Sequence, residues 1–177
     1  MSEAVALSDY DPAWAISFSD ERVQLHACLA EAPLAIEHIG STAIPGLCSK
    51  PIIDILVHVE NRARAEAAVP ALEALGYVNV PNYVDPNRLV LIKRRADGER
   101  SHHLHVHSDA DEVRRHLMFR DRLRDDAAVR EAYAALKKDL AVRFRDDRAA
   151  YSKHKTAFVD EIVLGMGGPA RKTPWNP

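Results

Sequence analysis

The sequence predicts a single-domain α/β protein, built as a sheet with a cap of helices at its C-terminal end. The 177 residues, 47% hydrophobic and 28% charged, have the size and composition of one globular domain. Strand-like apolar runs alternate with helical patterns up to residue 107, and only helical periodicity remains from Asp111 to about Leu164. We therefore expect one domain over residues 1–164. The tail, residues 165–177, is rich in glycine and proline and is predicted to be disordered.

The first half of the chain should supply a helix and two strands. The helix is predicted to begin at Asp11-Pro12, a capping carboxylate followed by proline at the first helical position. A strand over Leu34–Ile39 follows, and then a loop or short broken helix over Gly40–Lys50. The segment Pro51–Val59 is apolar on both faces, which predicts a buried strand near the centre of the sheet.

The second half should supply a hairpin and the helical cap. An alanine-rich helix over Arg62–Leu75 precedes a short strand at Tyr77–Val80. Two arms, Leu89–Arg95 and Arg100–His107, flank the turn pair Asp97-Gly98 and predict a β-hairpin. The helical region that follows is predicted to form three helices, with breaks near residues 125–126 and 146–147.

The composition argues against nucleic acid and membranes as partners of this protein. A net charge of −2 is not the basic excess usual for a nucleic-acid-binding protein, and no run approaches the ~18 apolar residues of a membrane span. Met1–Ser8 does not resemble a signal peptide, and Cys28 and Cys48 do not suggest a disulfide framework. We expect a cytoplasmic protein without nucleic-acid or membrane partners. The apolar stripe of the C-terminal helices could be all core or partly an interface, so the oligomeric state stays open.

The segment that joins the two N-terminal strands carries the candidate site. Gly40 lets a ligand approach the backbone, while Ser41 and Thr42 offer hydroxyls and backbone N–H groups that favour an anion such as phosphate. Lys50 places a cation nearby. Asp54 is a lone carboxylate in an apolar run, so it requires a cation, a metal or a strong hydrogen-bond donor as partner. An ordinary Gly-Ser turn and a helix-capping Asp54 would account for the same residues without a site.

These residues resemble the GrpB-like family, which is assigned to the nucleotidyltransferase superfamily. The resemblance is carried by Glu37-His38-Ile39-Gly40-Ser41-Thr42-Ala43-Ile44-Pro45-Gly46-Leu47 and by Lys50-Pro51-Ile52-Ile53-Asp54-Ile55. Further matches are His103-Leu104-His105-Val106, Phe119-Arg120-Asp121, Leu123-Arg124, Tyr151 and Lys155, and the whole runs from about Tyr10 to Ile162. The resemblance implies a nucleotidyltransferase-like fold with a mixed sheet flanked by helices.

The resemblance also implies a function and an alternative to it. It implies a protein that binds a nucleotide or another phosphorylated small molecule, with transfer of a nucleotidyl group by means of a divalent metal as the corresponding chemistry. Family members are sometimes fused to dephospho-CoA kinase, which supports the alternative of a non-catalytic nucleotide- or metabolite-binding or accessory domain. Under the enzyme hypothesis, the candidate catalytic residues are Asp54 and Lys50.

The sequence departs from the reactive members of the superfamily at one position. Those members hold two magnesium ions with Asp-x-Asp or Asp-x-Glu and a third carboxylate on a later strand. Here Leu56 follows Asp54 at the second position, and neither arm of the hairpin carries an acid at its centre. Two-metal chemistry needs bridging anionic ligands, which one aspartate does not supply.

Histidines offer a different set of metal ligands. His103 and His105 share one face of the predicted strand. If this strand lies beside that of Asp54, the three residues could form a two-histidine, one-carboxylate site, which favours zinc, manganese or iron over magnesium. Alternatively, one histidine hydrogen-bonds Asp54 and the others face solvent. Mg, Mn or Zn is the cofactor that these residues could bind. A metal-dependent phosphoesterase ranks last, because the sequence has a single His-x-His motif.

Four more residues are candidates for binding substrate or phosphate. The resemblance implies that Arg120, Tyr151 and Lys155 face the sheet, where Arg120 could form a fork onto one phosphate and Lys155 could neutralise a second. Without the resemblance, ordinary salt bridges on a helix surface are the simpler interpretation. His38 precedes Gly40 and either lines the same pocket or has a structural role.

Overall fold

Five strands and five α-helices make up the part of the chain that this computed structural model describes, residues 5–29, 33–80, 85 and 87–172. In chain order they are α1 (Ala13–Cys28), β1 (Ala35–Ile39), a 3-10 turn (Ser41–Ala43), β2 (Ile53–His58), α2 (Arg62–Ala74), β3 (Tyr77–Asn79), β4 (Arg88–Arg94), β5 (Arg100–His107), α3 (Ala110–Asp125), α4 (Ala127–Arg143) and α5 (Arg148–Gly165). The predicted hairpin and the predicted three-helix C-terminal region are both present.

The strands form one mixed sheet in the order β1-β2-β5-β4-β3. β2 and β5 pair in parallel, and the other neighbouring pairs are antiparallel. In the parallel pair, Asp54 lies opposite His103 and Leu56 lies opposite His105. Because side chains alternate between the faces of a sheet, Asp54, His103 and His105 project from the same face. The α/β class with a mixed sheet is therefore confirmed, and the register brings the candidate ligands together.

The two faces of the sheet are covered differently. Helices α1 and α2 pack on one face, where the largest apolar core includes Trp14, Leu25, Ile55, Leu72 and Leu104. Helix α3 packs on the other face, against β1, β2 and β5, and helices α4 and α5 pack on α3 and on each other, with apolar clusters on this side. Those clusters centre on Leu56 with Ile39 and Val113, and on Leu123 with Tyr133. The face that carries Asp54 is thus partly open between the sheet and the helical cap.

Aspartate caps define the helices of the C-terminal region. Asp126 accepts hydrogen bonds from the backbone N–H groups of Ala128 and Val129, and Asp147 accepts one from Ala150. Each cap satisfies backbone donors that the first turn of a helix leaves without partners. This explains why the helical pattern breaks at the two predicted positions. None of the helices in the described ranges is both long and apolar enough to cross a membrane.

The beginning of the tail packs on the helical region. α5 continues through Gly165, and the guanidinium of Arg115 donates to the carbonyl of Pro169. Arg171 forms an ion pair with Asp160 at 3.0 Å. Disorder was expected over residues 165–177, of which 173–177 lie outside the described residues. The described part of the tail is held by contacts on both α3 and α5.

Candidate functional site

Asp54 stands at the centre of the site, and the loop after β1 is shaped to receive it. Gly40 has φ +68°, and a Cβ atom placed on it would lie 2.4 Å from Oδ2 of Asp54. An L-residue at this position would be strained by its φ angle and would also collide with the carboxylate. Gly40 therefore allows the backbone of the loop to lie directly against Asp54.

Two histidines of β5 contact the same carboxylate oxygen. Nδ1 of His103 lies 3.3 Å, and Nε2 of His105 3.5 Å, from Oδ1 of Asp54. Burial alone would raise the pKa of Asp54, but hydrogen bonds with His103 and His105 outweigh it and hold the pKa well below its ordinary value. Asp54 is therefore an anion at neutral pH. Both histidines contact it, where the sequence had left open a contact by one alone.

Arginines lie behind both histidines. Nη2 of Arg88 is 2.8 Å from Nδ1 of His105, which is the ring nitrogen that faces away from Asp54. Nε2 of His103 lies 3.5 Å from Nη1 of Arg100 and 3.5 Å from Nη2 of Arg148. Burial lowers the pKa of His105 to about 4, so its imidazole is neutral at pH 7.

The residues around Asp54 fit one metal ion better than two. Asp54, His103 and His105 each offer a ligand atom, and these atoms lie within 4.8 Å of one another. Leu56, at the position of the second acid of a two-metal pair, is fully buried in a cluster with Ile39 and Val113. By number the donors are too few for a two-magnesium centre and match at most a single ion, which the histidine nitrogens could bind only if they turned lone pairs toward it.

A basic cavity of about 530 Å³ opens beside Asp54. Its wall includes Asp54, both histidines, Tyr151 and several serines, with Asp147 as the second acid. The basic side chains that line it are Lys50, Arg100, Lys137, Arg148 and Lys155. With five basic groups against two acids among the described residues of its wall, this cavity is attractive to an anionic ligand.

Two of these lysines flank one aromatic ring. Nζ of Lys50 lies 5.2 Å, and Nζ of Lys155 4.4 Å, from the ring centroid of Tyr151. Within the described ranges, neither ammonium has a hydrogen bond or an ion pair with an acid. Burial lowers the pKa of Lys50 to about 7, with repulsion from Arg148 and Lys155 acting in the same direction, and burial lowers the pKa of Lys155 to about 8. A bound anion would relieve this cost.

A second cavity, of about 270 Å³, meets the first at Asp54. Both cavities are lined by Ser41, Asp54, His105, Ser152 and Lys155. Helix α3 supplies one wall of the second cavity through side chains at helical spacing. They are Glu112, Arg115, His116, Phe119, Arg120 and Leu123. Asp54 is therefore accessible from two sides.

Arg120 lies at the second cavity with its guanidinium engaged by protein acids. Its Nη1 is 2.7 Å from Oε2 of Glu37, and its Nε is 2.7 Å from Oδ1 of Asp121. Nη1 also donates to the carbonyl of His38 at 3.2 Å. These bonds fix the end of β1 to α3.

His38 and Thr42 lie outside both cavities, because the side chain of His38 points to the face that α1 covers. The ring of His38 stacks on Phe18 with centroids 4.7 Å apart, and its Nε2 is 3.0 Å from Oγ1 of Thr42. The Thr42 hydroxyl donates to the carbonyl of Ile52, so the proton of the His38–Thr42 hydrogen bond comes from the histidine. The pair ties the Gly40-Ser41 loop to the chain just before β2.

Sequence reasoning missed several residues of the site. The ring of His116 lies 6.1 Å from that of His105 and lines the second cavity. The helical spacing of Glu112, His116 and Phe119 was the signal that could have found this wall. For Arg88, at the start of β4, and for Lys137, the sequence carries no comparable signal. Lys137 is almost fully buried and donates to the carbonyl of Cys48.

Comparison with known proteins gives a consistent family. The family model described as GrpB protein matches residues 4–164. A UPF0157 protein of Pseudomonas aeruginosa is 38% identical over 169 residues, which cover 94% of this chain and 68% of that protein. The crystal structure of the conserved protein GrpB from Enterococcus faecalis superposes with a TM-score of 0.79 at 37% identity, covering 89% of this chain and 94% of that one.

Two further similarities are more distant. The crystal structure of the Cid1 poly(U) polymerase with magnesium and 3'-dATP bound has a TM-score of 0.56 at 15% identity, covering 81% of this chain and 48% of that one. This likeness concerns the fold alone. A dephospho-CoA kinase of Mycolicibacterium paratuberculosis is 26% identical over 197 residues, covering 98% of this chain and 48% of that protein.

Proposed function

The chain belongs to the GrpB family and has a nucleotidyltransferase-like fold, and from this premise we propose that it binds a nucleotide or another phosphorylated small molecule in the basic cavity beside Asp54. The observation that carries the proposal is the pair Lys50 and Lys155. Both ammonium groups face the cavity without an acidic partner among the described residues, and burial lowers the pKa of both. Partly buried cations without an acidic partner are costly, and phosphate oxygens would reduce that cost.

The proposed binding mode uses both lysines and the Tyr151 ring between them. Lys50 and Lys155 would each neutralise phosphate oxygens, and the hydroxyl of Ser41 would donate to the phosphate nearest Asp54. A cavity of about 530 Å³ is within the range usual for small-molecule sites. A di- or triphosphate fits the charge of the wall better than a monophosphate, because the basic side chains are spread along it.

Nucleotidyl transfer is the reaction proposed for this site. The oxygen of an acceptor hydroxyl would attack the α-phosphorus and release its proton to water, and the bond to the leaving pyrophosphate would break, while Lys50 balances the charge on the leaving group. A divalent ion (Mg, Mn or Zn) held by Asp54 would stabilise negative charge on the transferred group. Asp54, already ionised and held by two histidines, is oriented to bind such an ion with no prior loss of a proton.

A non-catalytic binding domain is the second candidate. Leu56 favours it, because this fully buried residue occupies the position where reactive superfamily members carry their second acid. The similarity to a dephospho-CoA kinase that is about twice the length of this chain is also consistent with an accessory role.

Calorimetric titration with ATP, GTP, UTP, CTP and inorganic triphosphate, each with and without Mg²⁺ or Mn²⁺, tests binding. We expect Lys155→Met to weaken binding at least about tenfold, since a charge-assisted hydrogen bond is worth roughly 1.5–3 kcal/mol. Lys153→Met is the matched control, because Lys153 is an exposed residue of the same helix. Equal affinities for the two variants, or no binding by the wild type, would refute the proposal.

Release of pyrophosphate separates the two candidates. If a bound nucleotide yields pyrophosphate with some metal, and Asp54→Asn abolishes the release, the chain is an enzyme. If the nucleotide binds and stabilises the fold by about 2.7 kcal/mol at 100 times its Kd, yet no metal supports turnover, the binding-domain interpretation holds.

A further inference from the structure

We infer that Arg88 fixes the proton of His105 on Nε2, and that the arginines behind His105 and His103 keep a resident transition-metal ion out of the cluster of Asp54, His103 and His105. This inference concerns the chain without any ligand. It does not depend on whether a phosphorylated molecule binds in the basic cavity.

The contact between Arg88 and His105 decides the tautomer of the histidine. Nη2 of Arg88 is 2.8 Å from Nδ1 of His105, a normal hydrogen-bond distance. A guanidinium has five N–H donors and no acceptor, so Nδ1 must be the acceptor and carries no proton. The single proton of the ring is therefore on Nε2, which lies 3.5 Å from Oδ1 of Asp54. His105 donates to the carboxylate.

His103 also lies between arginine and Asp54, but its two ring nitrogens have exchanged positions relative to those of His105. Its Nε2 faces Arg100 and Arg148, each with a guanidinium nitrogen at 3.5 Å, and its Nδ1 is 3.3 Å from Oδ1 of Asp54. Donors behind the ring again favour a proton on the side of the carboxylate. Asp54 is thus held by two N–H groups that converge on one oxygen.

In both histidines the proton faces Asp54 and the lone pair faces arginine, which is the reverse of the arrangement in a metal-binding histidine. Such a histidine gives a lone pair to the ion and donates its other N–H to a carboxylate, a carbonyl or water. For His105 to bind an ion through Nε2, its proton would have to move to Nδ1, where it would meet an N–H of Arg88 at 2.8 Å. Two donors in contact repel each other, so the ion could bind only after Arg88 had moved away.

The positive charges around the cluster also oppose the binding of a metal ion. Arg88, Arg100 and Arg148 place three guanidinium groups directly behind the two histidines, and a divalent ion in the cluster would be repelled by all three. Among the residues that the structure describes, Asp54 is the one acid that contributes a ligand atom to this cluster. A cation that reaches Asp54 is therefore expected to arrive with an anionic ligand, and not to reside there bound by the histidines.

The tautomer can be read directly from the wild-type protein. In the full chain without an affinity tag, labelled with ¹⁵N-histidine, two-dimensional ¹H–¹⁵N spectra distinguish a protonated ring nitrogen from one with a lone pair. His105→Gln assigns the signals. We expect the Nε2-protonated form of His105 at pH 7.5, and the Nδ1-protonated form would overturn the inference.

Metal affinity gives a second, independent measurement. We expect Zn²⁺ to bind at least about tenfold more tightly to Arg88→Met than to the wild type, since partners of metal-binding histidines change affinity by 10–100-fold. The added affinity should disappear in Arg88→Met with Asp54→Asn. Arg114→Met, at an exposed position of α3, is the control and should match the wild type. Stoichiometric zinc in the purified wild type, or binding by Arg88→Met that is no tighter than that of the wild type, would contradict the inference.

Discussion

Lys50 and Lys155 differ from surface lysines because they lose their protons near neutral pH. Their pKa values are lowered to about 7 and about 8, against 10.5 for a free lysine. At pH values between these pKa values and 10.5, the two lysines bind more protons in the unfolded chain than in the folded one. The contribution of both groups therefore makes the unliganded fold more stable as pH rises through this window.

Binding of an anion should depend on pH in the opposite direction. A phosphate prefers the protonated lysines, so the Kd of ATP should rise about tenfold between pH 7.5 and 9.5, a range in which the terminal phosphate of ATP has already lost its last proton. Calorimetry at constant ionic strength measures this. Lys155→Met should bind more weakly and show a flatter pH profile. A wild-type Kd that does not change with pH would show that these ammonium groups do not contact the ligand.

At the scale of single elements, the C-terminal helices depend on their caps. Asp126 accepts from two backbone N–H groups of α4 and also forms an ion pair with Arg122 at 2.7 Å. We expect Asp126→Ala to lower the free energy of unfolding by about 1 kcal/mol, the usual cost of a lost cap. Asp125→Ala, at the exposed neighbouring position, should change it by less than about 0.5 kcal/mol. Urea denaturation of both variants is the measurement, and equal losses would contradict the assignment of the cap.

Elements with local signals could be predicted from the sequence, and the sheet order could not. Asp97-Gly98 determines the hairpin within a few residues, and Asp126 and Asp147 mark the helix starts because a cap acts on the next turn. The parallel pairing of β2 with β5 depends on residues far apart in the chain. Asp54 was found because a carboxylate in an apolar strand is conspicuous. Arg88 was not found, because its role depends on a partner in another strand.

A buried ion pair connects α1 to β4 on the face of the sheet that α1 covers. Oε1 of Glu21, in α1, accepts from Nζ of Lys93 at 2.9 Å and from the hydroxyl of Tyr77 at 2.9 Å. The pair forms because α1 crosses this face of the sheet, and its acid meets the lysine there.

Removal of Glu21 alone should lower the free energy of unfolding more than removal of Glu21 and Lys93 together. Glu21→Met leaves Lys93 without its acid in a mostly buried position, so we expect a loss of about 3 kcal/mol of unfolding free energy. Glu21→Met combined with Lys93→Met should lose less than Glu21→Met alone, and Asp20→Met, at an exposed position of α1, should lose little. Thermal or urea unfolding compares the three. A double variant less stable than Glu21→Met would contradict this prediction.

The parallel pairing of β2 with β5 also determines when the site can form during folding. Asp54 and its two histidines are brought together only when these strands pair, and α2, β3 and β4 lie between them along the chain. Contacts between distant parts of a chain form late, because loop closure must precede them. A nascent or partly folded chain would therefore possess the helices and the hairpin before it possessed the cluster around Asp54. Hydrogen exchange at β2 and β5 would then report the same cooperative event that creates the site.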